Sequence, residues 1–169
     1  MDQCGTPQQR FTFQAVPQSV AELAAMPESA LTSPFQAAAL TVLALCRYVQ
    51  DAPSGIDLLN HIKGPQPLSP YEQQFLRDRL RDKAYLPLSY FAGATPQNNY
   101  TPSLPLTLTV MEDPYSYAEA GYAKLLVRSA GADQPRPIKL RAKGQTAWFL
   151  WEQFLLSDIR QPVADDPWA

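Results

Sequence analysis

The chain has 169 residues, a formal charge of −2 and a pI near 5.3, which excludes the broad basic field that nucleic-acid binding normally needs. Hydrophobic residues make up 46% against 18% charged, so wholesale disorder is excluded and one apolar core is expected. The 17 prolines keep backbone donors out of long ladders, so the elements must be short and clearly punctuated.

The N-terminus, MDQCGTPQQR, lacks the basic start and apolar run of a secretory signal, and no segment approaches the roughly 20 apolar residues of a membrane span. A cytoplasmic protein with no membrane contact is expected. Residues 1–10 read as a disordered lead and residues 11–169 as a single α+β domain: 11–83 mainly helical, 84–103 a structured linker loop, and 104–169 antiparallel strands and a tail. Phe11 to Val16 alternates as a short strand or extended arm would.

About four helices follow. Ser19 and Glu22 have capping-box spacing before SVAELAAM. Thr32 or Ser33, with Pro34 in the first turn, opens a helix whose Phe35, Ala38, Ala39, Val42, Leu43 and Cys46 form a continuous apolar face, so it is the expected central helix. Ser54 is a cap for GIDLLNHIK, which Gly64 and Pro65 end. Ser69, Pro70 and Glu72 open YEQQFLRDRLRDK, with Tyr71, Phe75, Leu76 and Leu80 inward.

After the loop the period changes to two. Leu104, Leu106, Leu108 and Val110 alternate with threonines, and Pro105 suggests that this strand starts at a sheet edge. Tyr122 to Ser129 and Pro137 to Lys143 are further strands, the latter with Lys139, Arg141 and Lys143 on one face. In AWFLWEQF, from Ala147, both faces are bulky, as in a central strand or one covered on both sides. Short connections predict an antiparallel meander of about four strands.

Candidate chemistry is sparse. A single histidine, His61, rules out multi-histidine metal sites, and the seven glycines form no phosphate loop. No metal and no cofactor are expected. Cys46 lies in the central helix and reads as a small buried residue, with Cys4 in the lead and no disulfide expected. The cationic strand face, with Lys124, Arg128 and Tyr122 beside it, reads as a solvated outer face, so no nucleic acid is expected. Glu152, flanked by aromatics, is expected beside Arg128, Arg141 or Arg160.

The loop Tyr90 to Pro102 (YFAGATPQNNYTP) supports two readings. Tyrosines that anchor it, Gly93, and Asn98 and Asn99 in Asx turns would make it a hinge between helical and sheet layers. The same groups beside Asp113 to Tyr117 would make a groove for a sugar or peptide. The candidate ligand-binding residues are therefore Tyr90, Asn98, Asn99, Tyr100, Tyr117, Trp151 and Glu152, with no catalytic residue assigned. The expected function is a non-catalytic module that binds an unknown protein or a small polar ligand. The alternative is a small-molecule pocket protein, an enzyme if Glu152 or Asp113 serves as general base. Composition does not set the oligomeric state.

The segments GPQPLSPYEQQFLRDR, YLPLSYFAGATPQNNYTP, DPYSYAEAGYAKLLVRSAGADQPRPIKLR and WFLWEQFLLSDIRQPVADDPWA together resemble an uncharacterised family of bacterial proteins, a domain of unknown function, from about Phe11 onwards. That resemblance implies no activity, ligand or site. The element order and the pattern PRPIKLRAKGQTAWFLWE are loosely similar to the nuclear transport factor 2 superfamily, which implies a cone-like bent sheet with a pocket against the helices.

Overall fold

The computed structural model describes residues 7–169. Its first element is a strand, β1 (Gln8–Phe13), and five helices follow: α1 (Val20–Ala24), α2 (Pro34–Gln50), α3 (Ala52–Lys63), α4 (Pro70–Leu80) and the single turn α5 (Tyr85–Leu88). Strands β2 (Leu106–Met111), β3 (Tyr122–Val127), β4 (Arg136–Lys143) and β5 (Ala147–Gln153) complete an α+β fold. It has one helix and one strand beyond the count expected from periodicity. The extra strand is the phenylalanine-rich arm, which starts at Gln8 and so takes Gln8 to Arg10 out of the lead. Residues 1–6, Cys4 among them, lie outside the described residues. Among the described residues, no helix is long and apolar enough to cross a membrane.

The helix starts follow their caps. Ser33 Oγ accepts from the Gln36 N–H at 3.2 Å with Pro34 in the first turn. At α4 the box closes in both directions: the Glu72 N–H donates to Ser69 Oγ at 3.1 Å, and the Ser69 N–H donates to Glu72 Oε1 at 2.9 Å. At α1 the Glu22 carboxylate takes the Gln18 N–H instead of that of Ser19. The cap of α3 is Asp51 and not Ser54, because Pro53 fits the first turn and lets the helix begin earlier. Tyr71 also departs from expectation, being 78% exposed. Leu76 and Leu80 set the buried stripe of α4, and five residues at about 100° each carry Tyr71 well off it.

The five strands form one antiparallel sheet in sequence order, β1-β2-β3-β4-β5, so α1 to α5 all lie in the connection between the neighbours β1 and β2. Phe11 and Phe13 stand opposite Leu108 and Leu106. With Val110, Ala123, Leu125, Val127, Ile138, Leu140 and Leu150 they make an apolar inner face that packs against α2. Pro105 falls just outside β2, which is an interior strand and not an edge. Conversely β5 is an edge, although its sequence reads as covered. Its open side is blocked: the Trp148 N–H donates to the Leu31 carbonyl at 2.9 Å, and the Lys63 ammonium donates to the Trp151 carbonyl at 3.1 Å.

Helices α2 and α3 meet in a tight hairpin at Asp51. Gly55 makes this possible, since a Cβ there would sit 2.6 Å from the Tyr48 backbone nitrogen and overlap its Cα. Gly55→Ala, which ordinarily helps a helix by up to about 1 kcal/mol, is expected instead to destabilise the protein by about 1–3 kcal/mol through overpacking. Thermal unfolding should show a midpoint lowered by roughly 2–10 °C, and an unchanged or raised midpoint would refute the close approach.

Candidate functional site

The loop from Tyr90 is built into the sheet. Strands β2 and β3 share only Val110↔Val127 and Met111↔Leu126, and the segment from Ser89 to Ala92 fills the gap where they part. The Ala92 N–H donates to the Thr107 carbonyl at 2.8 Å, the Ala130 N–H donates to the Ser89 carbonyl at 3.2 Å, and the Ser89 and Ser129 hydroxyls lie 2.7 Å apart. Tyr90 and Tyr100 are buried, and their hydroxyls donate to the carbonyls of Leu155 and Arg160. Tyr100 stacks on Tyr85 with ring centroids 5.3 Å apart. These tyrosines fasten the C-terminal segment to the core, where Leu155, Leu156 and Ile159 are buried, while Trp168 beyond it is 92% exposed.

Asn98 is also committed internally. Its Nδ2 donates to the carbonyls of Gly93 (2.7 Å) and Thr101 (3.1 Å), and its Oδ1 accepts from the N–H groups of Thr95 (2.9 Å) and Thr101 (3.1 Å). Two donors and two lone pairs are the full capacity of an amide. Asn99 is exposed in the left-handed conformation, φ 59°, which asparagine tolerates. Tyr117, in the connection from β2 to β3, donates to the Glu112 carboxylate at 2.8 Å. Burial and that bond push its hydroxyl pKa up to about 12. Asp113 accepts from the Tyr115 N–H at 2.8 Å in an Asx turn. The sequence candidates therefore fall into three places, and none of these residues joins Trp151 and Glu152.

Trp151 and Glu152 lie where β5 carries a bulge. Leu140 pairs with Leu150 and Lys139 with Glu152, so Trp151 is the extra residue on its strand. Strict alternation from Leu150 would aim Glu152 into the core. The bulge resets the count, leaving Glu152 exposed across from Lys139 rather than beside an arginine. The Arg141 guanidinium carbon sits 4.7 Å from the Trp151 ring centroid and 5.3 Å from that of Tyr122, whose ring meets Trp151 edge-on at 5.7 Å. The Lys139 ammonium lies 4.5 Å from the Tyr122 ring and 2.7 Å from the Glu119 carboxylate, which holds its pKa above the usual value.

Beside this cluster a cleft of about 460 Å³ opens between the β4–β5 hairpin and the connection from α3 to α4. It is lined by Lys63, Gln66, Arg141, Lys143, Phe149 and Trp151 with the small residues between them. Gly64 ends α3 against the Phe149 ring, where a Cβ would lie 2.8 Å from Cγ. No carboxylate among the described residues lines the cleft. Among the same residues, Arg141 and Lys143 enter no ion pair, and no group of His, Cys, Asp or Glu is arranged to hold a metal ion. Lys63 is buried, and its ammonium donates at 3.1 Å both to Glu72 Oε2 and to the Trp151 carbonyl. It also borders a second, more apolar groove of about 340 Å³ between α4 and β5.

Sequence reasoning saw Arg141 and Lys143 as a solvated face and did not single out Lys63 or Phe149. A signal for Lys63 was present, because it follows Ile56 and Leu59 at helical spacing and so falls on the buried stripe of α3.

Two consequences can be measured. Asn98→Ala should lower stability by about 1–2 kcal/mol, read as a drop of roughly 2–8 °C in thermal midpoint, and a neutral effect would show that the loop does not depend on its amide. Burial pushes the Glu72 carboxyl up, but hydrogen bonds from the Ser69 N–H and the Lys63 ammonium, with the charge of Lys63, hold it below its ordinary value of 4.5. A lowered folded-state pKa contributes stability above that value, which is lost as pH falls through the folded-state pKa. Glu72→Gln keeps the capping box and removes the charge. Its midpoint should be lower at neutral pH and should fall less steeply than that of the wild type in acid, and parallel acid profiles would rule this out.

Neither the curated proteins nor the solved structures give a significant match. A family model described as a domain of unknown function, DUF6935, matches residues 15–163. The chain belongs to the DUF6935 family.

Proposed function

We propose that this protein is a non-catalytic binding module of the bacterial cytoplasm, and that a small polar ligand enters the cleft between the β4–β5 hairpin and the α3–α4 connection. The observation that carries this reading is a cleft lined by Lys63, Arg141 and Lys143, with no carboxylate among its described lining residues, on a chain whose net charge is −2. Its volume, about 460 Å³, lies within the range of roughly 300–1,000 Å³ typical of small-molecule sites. Phe149 and Trp151 supply apolar wall, and the cations supply orientation.

The cone-like pocket between sheet and helices has less support, since side chains of the inner face pack directly on α2. An enzymatic role for Glu152 or Asp113 has less support too: one is exposed across from Lys139, and the other is held in its turn. A protein partner is the second reading, favoured by Tyr71 at 78% and Phe154 at 41% exposure beside the groove between α4 and β5.

Replacing Trp148 and Trp168 with Phe leaves Trp151 as the sole fluorescent reporter. A panel of small polar compounds should produce a saturable change in its emission. At a hundredfold excess over Kd the protein should gain about 2.7 kcal/mol of stability. Ala142→Phe, which narrows the cleft, should abolish both effects. A panel with no response, or a response indifferent to Ala142→Phe, would remove the cleft as the site.

A further inference from the structure

We infer that the cleft recognises an oxyanion, a carboxylate or phosphate group, gripped by the guanidinium fork of Arg141. This deepens the binding reading above and rests on it.

The first ground is how Arg141 is held. Its neighbour on the same strand face, Lys139, carries its own counter-charge in Glu119 at 2.7 Å, with Glu152 across the ladder. Arg141 has no such partner among the described residues and is held by aromatic rings, Trp151 at 4.7 Å and Tyr122 at 5.3 Å. Because the two rings stand 73° apart, at most one can lie flat on the guanidinium, and neither ring accepts a proton from it as a carboxylate would, so its fork keeps N–H groups for a ligand. The side chain is therefore positioned without being neutralised. A fork of parallel N–H donors matches two oxygens of one carboxylate or phosphate group.

The second ground is Lys63. Its side chain is only 5% exposed, it borders the cleft, and its ammonium donates to two protein acceptors, Glu72 Oε2 and the Trp151 carbonyl. An ammonium has three N–H donors, so one has no acceptor among the described residues and faces the cleft side. Lys143 adds a further positive charge on the hairpin side of the cleft.

The same geometry disfavours a nucleic-acid strand. Stacked bases need open ring faces, whereas the rings of Tyr122 and Trp151 are covered by Lys139 and Arg141. The fitting ligand is a small molecule whose apolar body lies toward Phe149 and whose oxyanion meets Arg141.

The test uses phenyl phosphate, benzoate and the neutral isostere benzamide, each titrated into ¹⁵N-labelled protein while the Arg141 Nε–H and Trp151 indole N–H signals are followed. Phenyl phosphate and benzoate should both move the Arg141 signal saturably, at least about tenfold more tightly than benzamide and more weakly as salt is raised. Tighter phenyl phosphate assigns a phosphate ligand, and tighter benzoate a carboxylate. Arg141→Lys should weaken binding about tenfold because a point charge replaces the fork, and Arg141→Gln should abolish it. Arg141 is exposed, so both variants should still fold, their thermal midpoints lower by at most a few degrees through the lost ring contacts. If benzamide binds as well as benzoate and Arg141→Gln is without effect, the oxyanion inference fails while the cleft stands as a site. If no probe moves any signal of the cleft, both fail together.

Discussion

Ten consecutive residues of α2, Ala37 to Cys46, are at most 1% exposed, and the rest of the structure is an answer to that burial. A helix that is apolar on every side cannot lie on a surface. The sheet covers one side, α3 another, and α5 and the turn at Leu31 close the remainder. The one hydroxyl in this run, on Thr41, donates to the Ala37 carbonyl at 2.8 Å, so no side-chain polar group of the run is stranded, and the buried Nε without a partner belongs to Arg47, one residue on. Small residues at Ala37, Ala38, Ala39 and Ala44 let the neighbouring elements approach closely, and Gly55 extends that closeness into α3. Burial also pushes the Cys46 thiol pKa up, which leaves it a packing residue and not a nucleophile. Because the interior is filled by this helix and its cover, the cleft opens at the rim, where the edge of the sheet meets the end of α3.

Much of this was legible in the chain. The central helix, its Ser33 and Pro34 start, the Ser69 and Glu72 box, and the alternation of β2 and β4 all arise from contacts within a few residues, which local periodicity reports. The misreadings share a different cause. Whether β5 was central or an edge depended on Leu31 and Lys63, which cover its open side from distant parts of the sequence. The sheet position of β1 depended on β2, on the far side of all the helices. Ser54 looked like a cap, but Asp51 wins because Pro53 can occupy the first turn and forbids nothing there. The loop from Tyr90 looked dressed for a ligand because its acceptors, the carbonyls of Thr107, Leu155 and Arg160, are invisible to local reading. The cationic face was visible, yet its setting was not, since the cleft beside it takes Lys63 and Gln66 from the distant end of α3 and the connection that follows.

Charge placement follows a similar logic. Lys124 and Lys139 stand directly opposite one another, an unfavourable cross-strand pair, and Glu119 and Glu152 relieve it. Two residues along the strand, no carboxylate among the described residues plays that part at Arg141. Electrostatic relief alone would place a carboxylate at both positions. Aromatic rings at the second one hold the cation in place without a neutralising carboxylate among the described residues.

The bulge in β5 connects stability to that site. Regular pairing through AWFLWEQ would turn Glu152 into the apolar inner face, where an unpaired carboxylate costs several kcal/mol or titrates to neutrality. Omitting one residue from the ladder sacrifices about one hydrogen bond, worth on the order of 1 kcal/mol. The smaller cost wins, so the strand bulges at Trp151 and Glu152 emerges opposite Lys139. The Trp151 ring, outward in either register, lies against Arg141 and Tyr122, and its carbonyl, belonging to the residue left out of the pairing, accepts from Lys63. Lys63 can remain buried at the end of α3 because that carbonyl and Glu72 satisfy two of its donors. The wall of the cleft is thus assembled by the means that keeps a carboxylate out of the core, and Glu152 shapes the site through the register it imposes rather than through any chemistry of its own.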